Sequence, residues 1–388
     1  MKILIFAEVY YPDVMGGGEF STKQMAEGLA GRGHEVVVRC LGEKRRTEKI
    51  NGVRVKRKYI RGLSEHFLSN TKNRLIADPF TCFDKILRKR GDIYTSGIWY
   101  EYYRAVLIKE APDIVHTVSP MSYLGRLNLW RAAHDLKIPV SHVCRGPNLL
   151  QLKFLGGKLD RYNAGRNAAA SRYLTALAAP SEYMLKRHNA AGIRGCSFND
   201  VIPNAADTEV LIPSADLVAQ KEDMILYAGE IKKEKGINTL LRAVEGMRGV
   251  RLLLIGRGKL AESIAGRAEV MDWMEREELF KYMRRAKAVI LPSEWEEPFG
   301  RILIEAIFNG TIAIGSDRGG IPEVLARDEA YIFHGRDVEG LRRRIERVMS
   351  MKLSDYVKET LKQQKAAKGF ADDAYVDNWE NFFLKQLR

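Results

Sequence analysis

The chain has 388 residues, 46% of them apolar and 29% charged, with a formal net charge of +14. This length exceeds one ordinary core and predicts two domains of roughly 150–200 residues, and the composition excludes a disordered chain. No apolar run approaches the ~20 residues of a membrane span, and the widely spaced Cys40, Cys82, Cys144 and Cys196, with no CxxC, argue against a zinc site or a disulfide framework.

From the N-terminus, KILIFAEV predicts a first strand. It meets Glu8 early and lacks a small-residue cleavage site, so it reads as a strand rather than a signal peptide; the cysteine pattern makes a reducing cytoplasm the expected compartment. STKQMAEGLAGRG follows as a helix ending at Gly31 and Gly33, then HEVVVRCL as a strand. VRVKRKYI reads as a half-exposed strand with Val53 and Val55 facing in. APDIVHTVS and KIPVSHVCR are short apolar strands around a helical SYLGRLNLWRAAHDL, and YLTALAAPS and SFNDVIPN close a first domain. After a polar stretch at 208–223 the pattern restarts: DMILYAGE, INTLLRAVEGM, VRLLLIGRG, REELFKYMRRA, KAVILPS, RILIEAIFNG and TIAIGSD alternate strand and helix. Apolar strands alternating with helices imply parallel sheets covered on both faces. The expectation is α/β: residues 1–205 and 206–370 as two domains with a cleft between them. The amphipathic tail at 371–388 is expected to be a helix packing back on the first domain.

The charge is uneven. Residues 1–205 hold 33 Lys and Arg against 18 Asp and Glu, and the remainder holds 30 against 31. KRRTEKINGVRVKRKYIR at 44–61 has nine basic residues and one acidic. Such a field attracts lipid headgroups, phosphates or nucleic acid. The alternative is a strand whose charges are merely solvated. The basic run contains no recognised nucleic-acid-binding module, so nucleic acid is not an expected partner.

In open parallel sheets ligands bind at the carboxyl ends of the strands, so chemistry is sought in the loops there. YYPDVMGGGEF places Gly16, Gly17 and Gly18 before a helix, where backbone amides can approach a phosphate; a flexible surface turn is the alternative. GEIKKEKGIN crowds Lys232, Lys233 and Lys235 at a strand-to-helix turn suited to a diphosphate, or to a solvated loop. GRGKL at 256–260 repeats the glycine turn. In SEWEEPFGRILIEAIFNG, Glu305 sits on an apolar helical turn, which is costly unless it is bonded or poised for a ligand such as the two hydroxyls of a ribose. The amides of Phe299, Gly300 and Arg301 suit a phosphate or a sugar hydroxyl, and Glu297 projects toward the same point. The competing reading is a helix-capping acid with a buried salt bridge. The acidic residues form no DxD pair, so no metal is expected.

EPFGRILIE, with Glu297 and Glu305 spaced E-x7-E, resembles the signature of the retaining GT-B glycosyltransferases of family 4. That group includes phosphatidylinositol mannosyltransferases and envelope-polysaccharide enzymes. YPDVMGGGEF, DIVHTVSP, VIPNAADTEVL, LYAGEIKKEKGI and SDRGGIPEV resemble further segments of the family, along nearly the whole chain. The resemblance implies the GT-B fold, two Rossmann-like doubly wound domains. It implies transfer of a hexose from a UDP- or GDP-linked donor to a lipid-linked or anionic glycan acceptor, with retained configuration and no cofactor. By the same resemblance Glu305 binds the donor ribose, Glu297 holds sugar hydroxyls and Lys235 pairs with the diphosphate. Gly17 and Gly18 lie against the diphosphate or the acceptor, and His116 reaches the transferred sugar. Glu230 stands where the family has Arg, so Lys232, Lys233 or Arg257 is expected to replace that cation. Arg145 stands where a His is common and is expected to meet a phosphate. The basic segments at 44–61 and 85–90 are expected to touch an anionic membrane, at its cytoplasmic face. The alternatives are a nucleotide-sugar epimerase of the same fold and a non-catalytic sugar-nucleotide-binding protein.

Overall fold

A computed structural model describes residues 1–13, 16–42, 44–59, 93–118, 123–150, 165, 167–206, 208–264 and 266–388. The segment 85–90 lies outside them. The chain divides into two compact units. One comprises Met1–Pro180, Met184–Ile202 and Val376–Arg388; the other comprises Ser181–Tyr183 and Pro203–Tyr375. The C-terminal helix Asp372–Gln386 thus ends within the first unit.

The first unit carries β1 (Lys2–Phe6), β2 (Glu35–Gly42), β3 (Arg46–Ile50), β4 (Val53–Tyr59), β5 (Ile114–Thr117), β6 (Val140–Val143), β7 (Ala176–Ala179) and β8 (Phe198–Val201). They form one sheet in the order β3-β4-β2-β1-β5-β6-β7-β8. All neighbours pair in parallel except β3 with β4, an antiparallel hairpin at the edge. The central strands are buried nearly throughout, as a sheet covered on both faces requires. Order reverses between β1 and β5, so the loops after these two strands flank a switch point, where open α/β sheets bind ligands.

The basic strand β4 faces Val53 and Val55 into the core, both fully buried, as its alternation predicts. Its charges are neither simply solvated nor spread as a free cationic surface. Arg54 pairs with Glu35, Lys56 with Glu110 and Arg57 with Glu48 and Asp13. Lys58 lies over the rings of Trp99 and Tyr102. The strand spends its cations on its own neighbours, which narrows what the run can present to headgroups to the exposed Lys44, Arg45 and Lys49 of the hairpin.

The second unit carries β9 (Glu222–Ala228), β10 (Arg251–Ile255), β11 (Glu269–Met271), β12 (Ala286–Leu291), β13 (Ile312–Ser316) and β14 (Ile332–Phe333). Their order is β11-β10-β9-β12-β13-β14 and every pair is parallel. This is the doubly wound dinucleotide-fold order, with its switch point between β9 and β12. The core is Ile, Leu and Val from β9, β10, β12 and β13 packed against the helices Ile237–Val244 and Arg301–Phe308. No described helix is long and apolar enough to cross a membrane.

Candidate active site

At the switch point of the second unit, the loops after β9 and β12 are tied together. Glu294 and Trp295 donate their amides to the Glu234 carbonyl at 2.9 and 3.2 Å. Gly236 makes this approach possible: its φ is +74°, and a Cβ there would lie 1.7 Å from the Pro292 carbonyl oxygen. The loop after β9 is further held by the Tyr227 hydroxyl, which donates to the Glu230 carbonyl at 2.8 Å. Burial pushes that phenol far above its ordinary range, so it remains a donor.

These ties set Lys235 against Glu297. The ammonium donates to Oε1 at 3.1 Å and Oε2 at 2.8 Å. Oε2 also accepts from Ser293 Oγ at 3.0 Å and Trp295 Nε1 at 2.5 Å. The Lys235 ammonium lies 4.9 Å from the centroid of the Trp295 ring. The Glu297 backbone is fixed as well: its carbonyl accepts from Gly320 at 2.8 Å, and Gly319, at φ +65°, leaves no room for a Cβ beside it. Both side chains keep some exposure, 20% for Lys235 and 15% for Glu297. A charged pair that is rigid yet reachable by solvent is suited to a polar ligand.

Gly300, at φ +102°, turns the chain into the helix Arg301–Phe308. The first amides of a helix have no partner within it and face outward as donors. Phe299 is 3% exposed and packs edge-on against Phe370, so its backbone, not its ring, is offered at this turn. Glu305, one turn into the helix, is 4% exposed. Its Oε1 meets Arg276 Nη2 at 2.7 Å and Arg301 Nε at 3.1 Å. The salt-bridge alternative for Glu305 is therefore realised in the structure, while its Oε2 has no hydrogen-bond partner among the described residues.

The two cations expected to replace the missing arginine lie otherwise. Lys232 is paired with Glu230 itself, through the very residue it was to compensate. Arg257 is 70% exposed and paired with Asp272 at 2.5 and 2.9 Å, and no hydrogen bond or ion pair joins it to Lys235 or Glu297 among the described residues. Its assignment as a donor-binding cation is corrected accordingly. Arg276, which no sequence pattern singles out, joins Arg301 at Glu305; the helix Arg276–Arg285 begins with it.

In the first unit, Gly17 and Gly18 open the helix Gly17–Gly31, and Arg145, just beyond β6, donates to the Gly18 carbonyl. Arg145 is therefore gathered to the glycine loop. Burial raises the Glu19 carboxyl above its usual range, and the nearby Arg145 charge opposes that shift. His116 is not gathered there. It is fully buried, and its Nδ1 lies 2.9 Å from Ser141 Oγ. Its ring packs at 4.9 Å against Trp379 and 5.2 Å against Phe383 of the C-terminal helix. Burial, with the Arg145 charge acting the same way, drives its protonation well below the usual imidazole range. His116 is a neutral core residue, which corrects its expected role at the transferred sugar. The reason is strand alternation: Thr117 faces Trp130 of the helix Tyr123–Asp135, whose indole donates to it at 3.1 Å, so His116 must face the opposite side of the sheet.

Among the described residues, no group of three or more His, Cys, Asp and Glu is placed to hold a metal. The family profile described as Glycosyltransferase Family 4 matches residues 15–210, and that described as Glycosyl transferases group 1 matches residues 212–369. An uncharacterized 42.6 kDa protein in the cps region of Klebsiella pneumoniae is 26% identical, over 88% of this chain and 91% of that protein. A glycogen synthase of Mycobacterium tuberculosis is 24% identical, over 88% and 84%. Among solved structures, a sucrose-phosphate synthase from Thermosynechococcus elongatus superposes with a TM-score of 0.75 at 18% identity, covering 99% of this chain and 98% of that one. An Anabaena protein in complex with UDP-glucose superposes with a TM-score of 0.69 at 14% identity, covering 99% and 100%. These structures share the GT-B arrangement of parallel-sheet, Rossmann-like domains. With both halves matched and the signature carboxylates set at the switch point of the second sheet, the chain belongs to glycosyltransferase family 4.

Proposed function

We propose that this glycosyltransferase moves a hexose from a UDP- or GDP-linked donor to a lipid-linked or anionic glycan acceptor, retaining configuration and using no metal. The observation that carries the reading is the Lys235–Glu297 pair at the switch point beside the Arg301–Phe308 helix start. Glu297 accepts hydroxyls of the transferred sugar. Oε2 of Glu305 accepts a ribose hydroxyl, with Arg276 and Arg301 fixing the carboxylate through Oε1. Lys235 and the amides of Phe299, Gly300 and Arg301 stabilise the leaving diphosphate, the work that a metal ion performs elsewhere. Gly17, Gly18 and Arg145 face the diphosphate or the acceptor. The Anabaena structure with UDP-glucose supports a sugar-nucleotide donor, and the glycogen synthase relative supports a role in polysaccharide biosynthesis.

A thermal-shift panel of nucleotide diphosphate sugars tests this, because a bound donor raises the melting temperature by mass action. One donor class is expected to stand out. Turnover with it is expected to survive EDTA and to give a product with the donor's anomeric configuration. An inverted product, or activity lost to EDTA and restored by magnesium, contradicts the reading.

We further propose that the enzyme works at the cytoplasmic face of an anionic membrane, with the exposed Lys44, Arg45 and Lys49 of the β3–β4 hairpin contributing. Sedimentation is expected with anionic vesicles and not with neutral ones. Negligible binding to both removes the membrane from the account.

A further inference from the structure

The two oxygens of Glu297 are not equivalent. Oε2 accepts three hydrogen bonds, from Lys235 at 2.8 Å, Ser293 at 3.0 Å and Trp295 at 2.5 Å. Oε1 accepts one, the longer contact from Lys235 at 3.1 Å. A carboxylate offers about four lone-pair sites over its two oxygens, so the first oxygen is saturated and the second is not. Of the three donors, two are constrained by the fold. Ser293 is fully buried, and its carbonyl is held by the Ser316 hydroxyl at 2.7 Å. Trp295 is fixed through its backbone, whose amide donates to Glu234. Trp295 therefore acts twice on the pair: its indole N–H holds the carboxylate while its ring face holds the ammonium.

We propose that Trp295 is a positioning residue that selects which oxygen of Glu297 receives the donor's sugar, by helping saturate Oε2 and leaving Oε1 to accept the sugar hydroxyls. This rests on the glycosyltransferase reading and deepens it. Trp295 does not touch the reacting atoms; it sets the rotation of the carboxylate that does. A carboxylate free to rotate would offer a hydroxyl either oxygen and lose the pre-set geometry. The consequence is selective. The nucleotide half of the donor does not use this carboxylate, so loss of Trp295 weakens recognition of the sugar and spares recognition of the nucleotide.

The test compares Kd for a nucleotide diphosphate with Kd for its sugar conjugate, using UDP against UDP-glucose and GDP against GDP-mannose, by titration calorimetry. Trp295→Phe keeps a ring face for Lys235 and removes the N–H donor. It is expected to weaken binding of the sugar conjugate about tenfold, the worth of one hydrogen bond to a charged group, and to leave the nucleotide diphosphate unchanged. Ser293→Ala, which removes a second donor to the same oxygen, is expected to show the same selective loss. Melting temperatures of both variants report folding separately. A Trp295→Phe variant that keeps the wild-type ratio of the two constants, or that loses both ligands equally, overturns the assignment. Wild-type protein that binds neither member of either pair overturns the reading of a UDP- or GDP-linked donor and this assignment with it.

Discussion

Lys235→Ala is expected to lower turnover ~100-fold or more, the scale of losing one donor that stabilises developing charge. Among the described residues Lys235 is the one side chain that donates to both oxygens of Glu297, and it sits at the loop whose close approach to the β12 loop depends on Gly236. Without it the helix-start amides lose the ammonium that, in the proposed function, shares the leaving diphosphate with them. The fold should survive, because Lys235 is 20% exposed and Glu297 retains its bonds from Ser293 and Trp295. The variant is therefore expected to melt close to wild type while turning over slowly. Steady-state kinetics with the donor identified by thermal shift reads this directly; near-normal turnover refutes the role of Lys235.

Arg57→Ala is expected to cost about 2–4 kcal/mol of stability, because two backbone carbonyls lose a charged donor while Glu48 and Asp13, 27% and 42% exposed, can turn to solvent. Only 1% of the Arg57 side chain is exposed. Its Nε donates to Glu48 at 2.6 Å, Nη1 to Asp13 and the Tyr10 carbonyl at 3.0 Å each, and Nη2 to the Tyr11 carbonyl at 2.5 Å. Two of those acceptors are carbonyls of the segment that leads from β1 toward the glycine loop. Truncation strands them. Domains are stable by only about 5–15 kcal/mol, so such a loss is a large share of the total. Arg57→Lys is not expected to rescue, since an ammonium cannot span four acceptors as the planar fork does. Urea unfolding checks this. If Arg57 served a headgroup instead, the variant would unfold like wild type and lose only vesicle binding.

Much of the fold is legible in the chain because buried parallel strands are continuous apolar runs. KILIF, VSHV, MILYA, LLLI and AVIL all become strands, and the two Rossmann-like sheets follow from their alternation with helices. Where the apolar signal is weak the reading fails. β3, RTEKI, is a polar edge strand whose only partner is β4, and β11, EVM, is three residues long. The basic run at 44–61 illustrates the same limit. Its composition signals a cationic surface, but of the acids that pair with it only Glu48 lies in the run; Glu35, Glu110 and Asp13 come from three other segments.

The site divides the same way. Lys235, Glu297 and Glu305 are legible because glycine turns and isolated carboxylates mark loops at strand ends, and the structure assembles them within one unit. What sequence does not reveal is direction. His116 sits one residue from a strand end, and only the packing of Trp379 and Phe383 shows which face it takes. Arg276 lies 29 residues from its partner Glu305, with no local pattern to connect them. Arg257 has the right charge and the right kind of glycine turn, but Asp272 is nearer to hand.

The central claim is that the switch-point loops of the second unit grip an activated sugar through Glu297, Lys235 and Glu305. A crystal structure of the protein soaked with UDP-glucose and, separately, GDP-mannose measures it most directly. Sugar hydroxyls within hydrogen-bond distance of Glu297 and a ribose at Glu305 are expected. Clear density for the donor elsewhere, with these carboxylates still paired only to Lys235, Arg276 and Arg301, would contradict it.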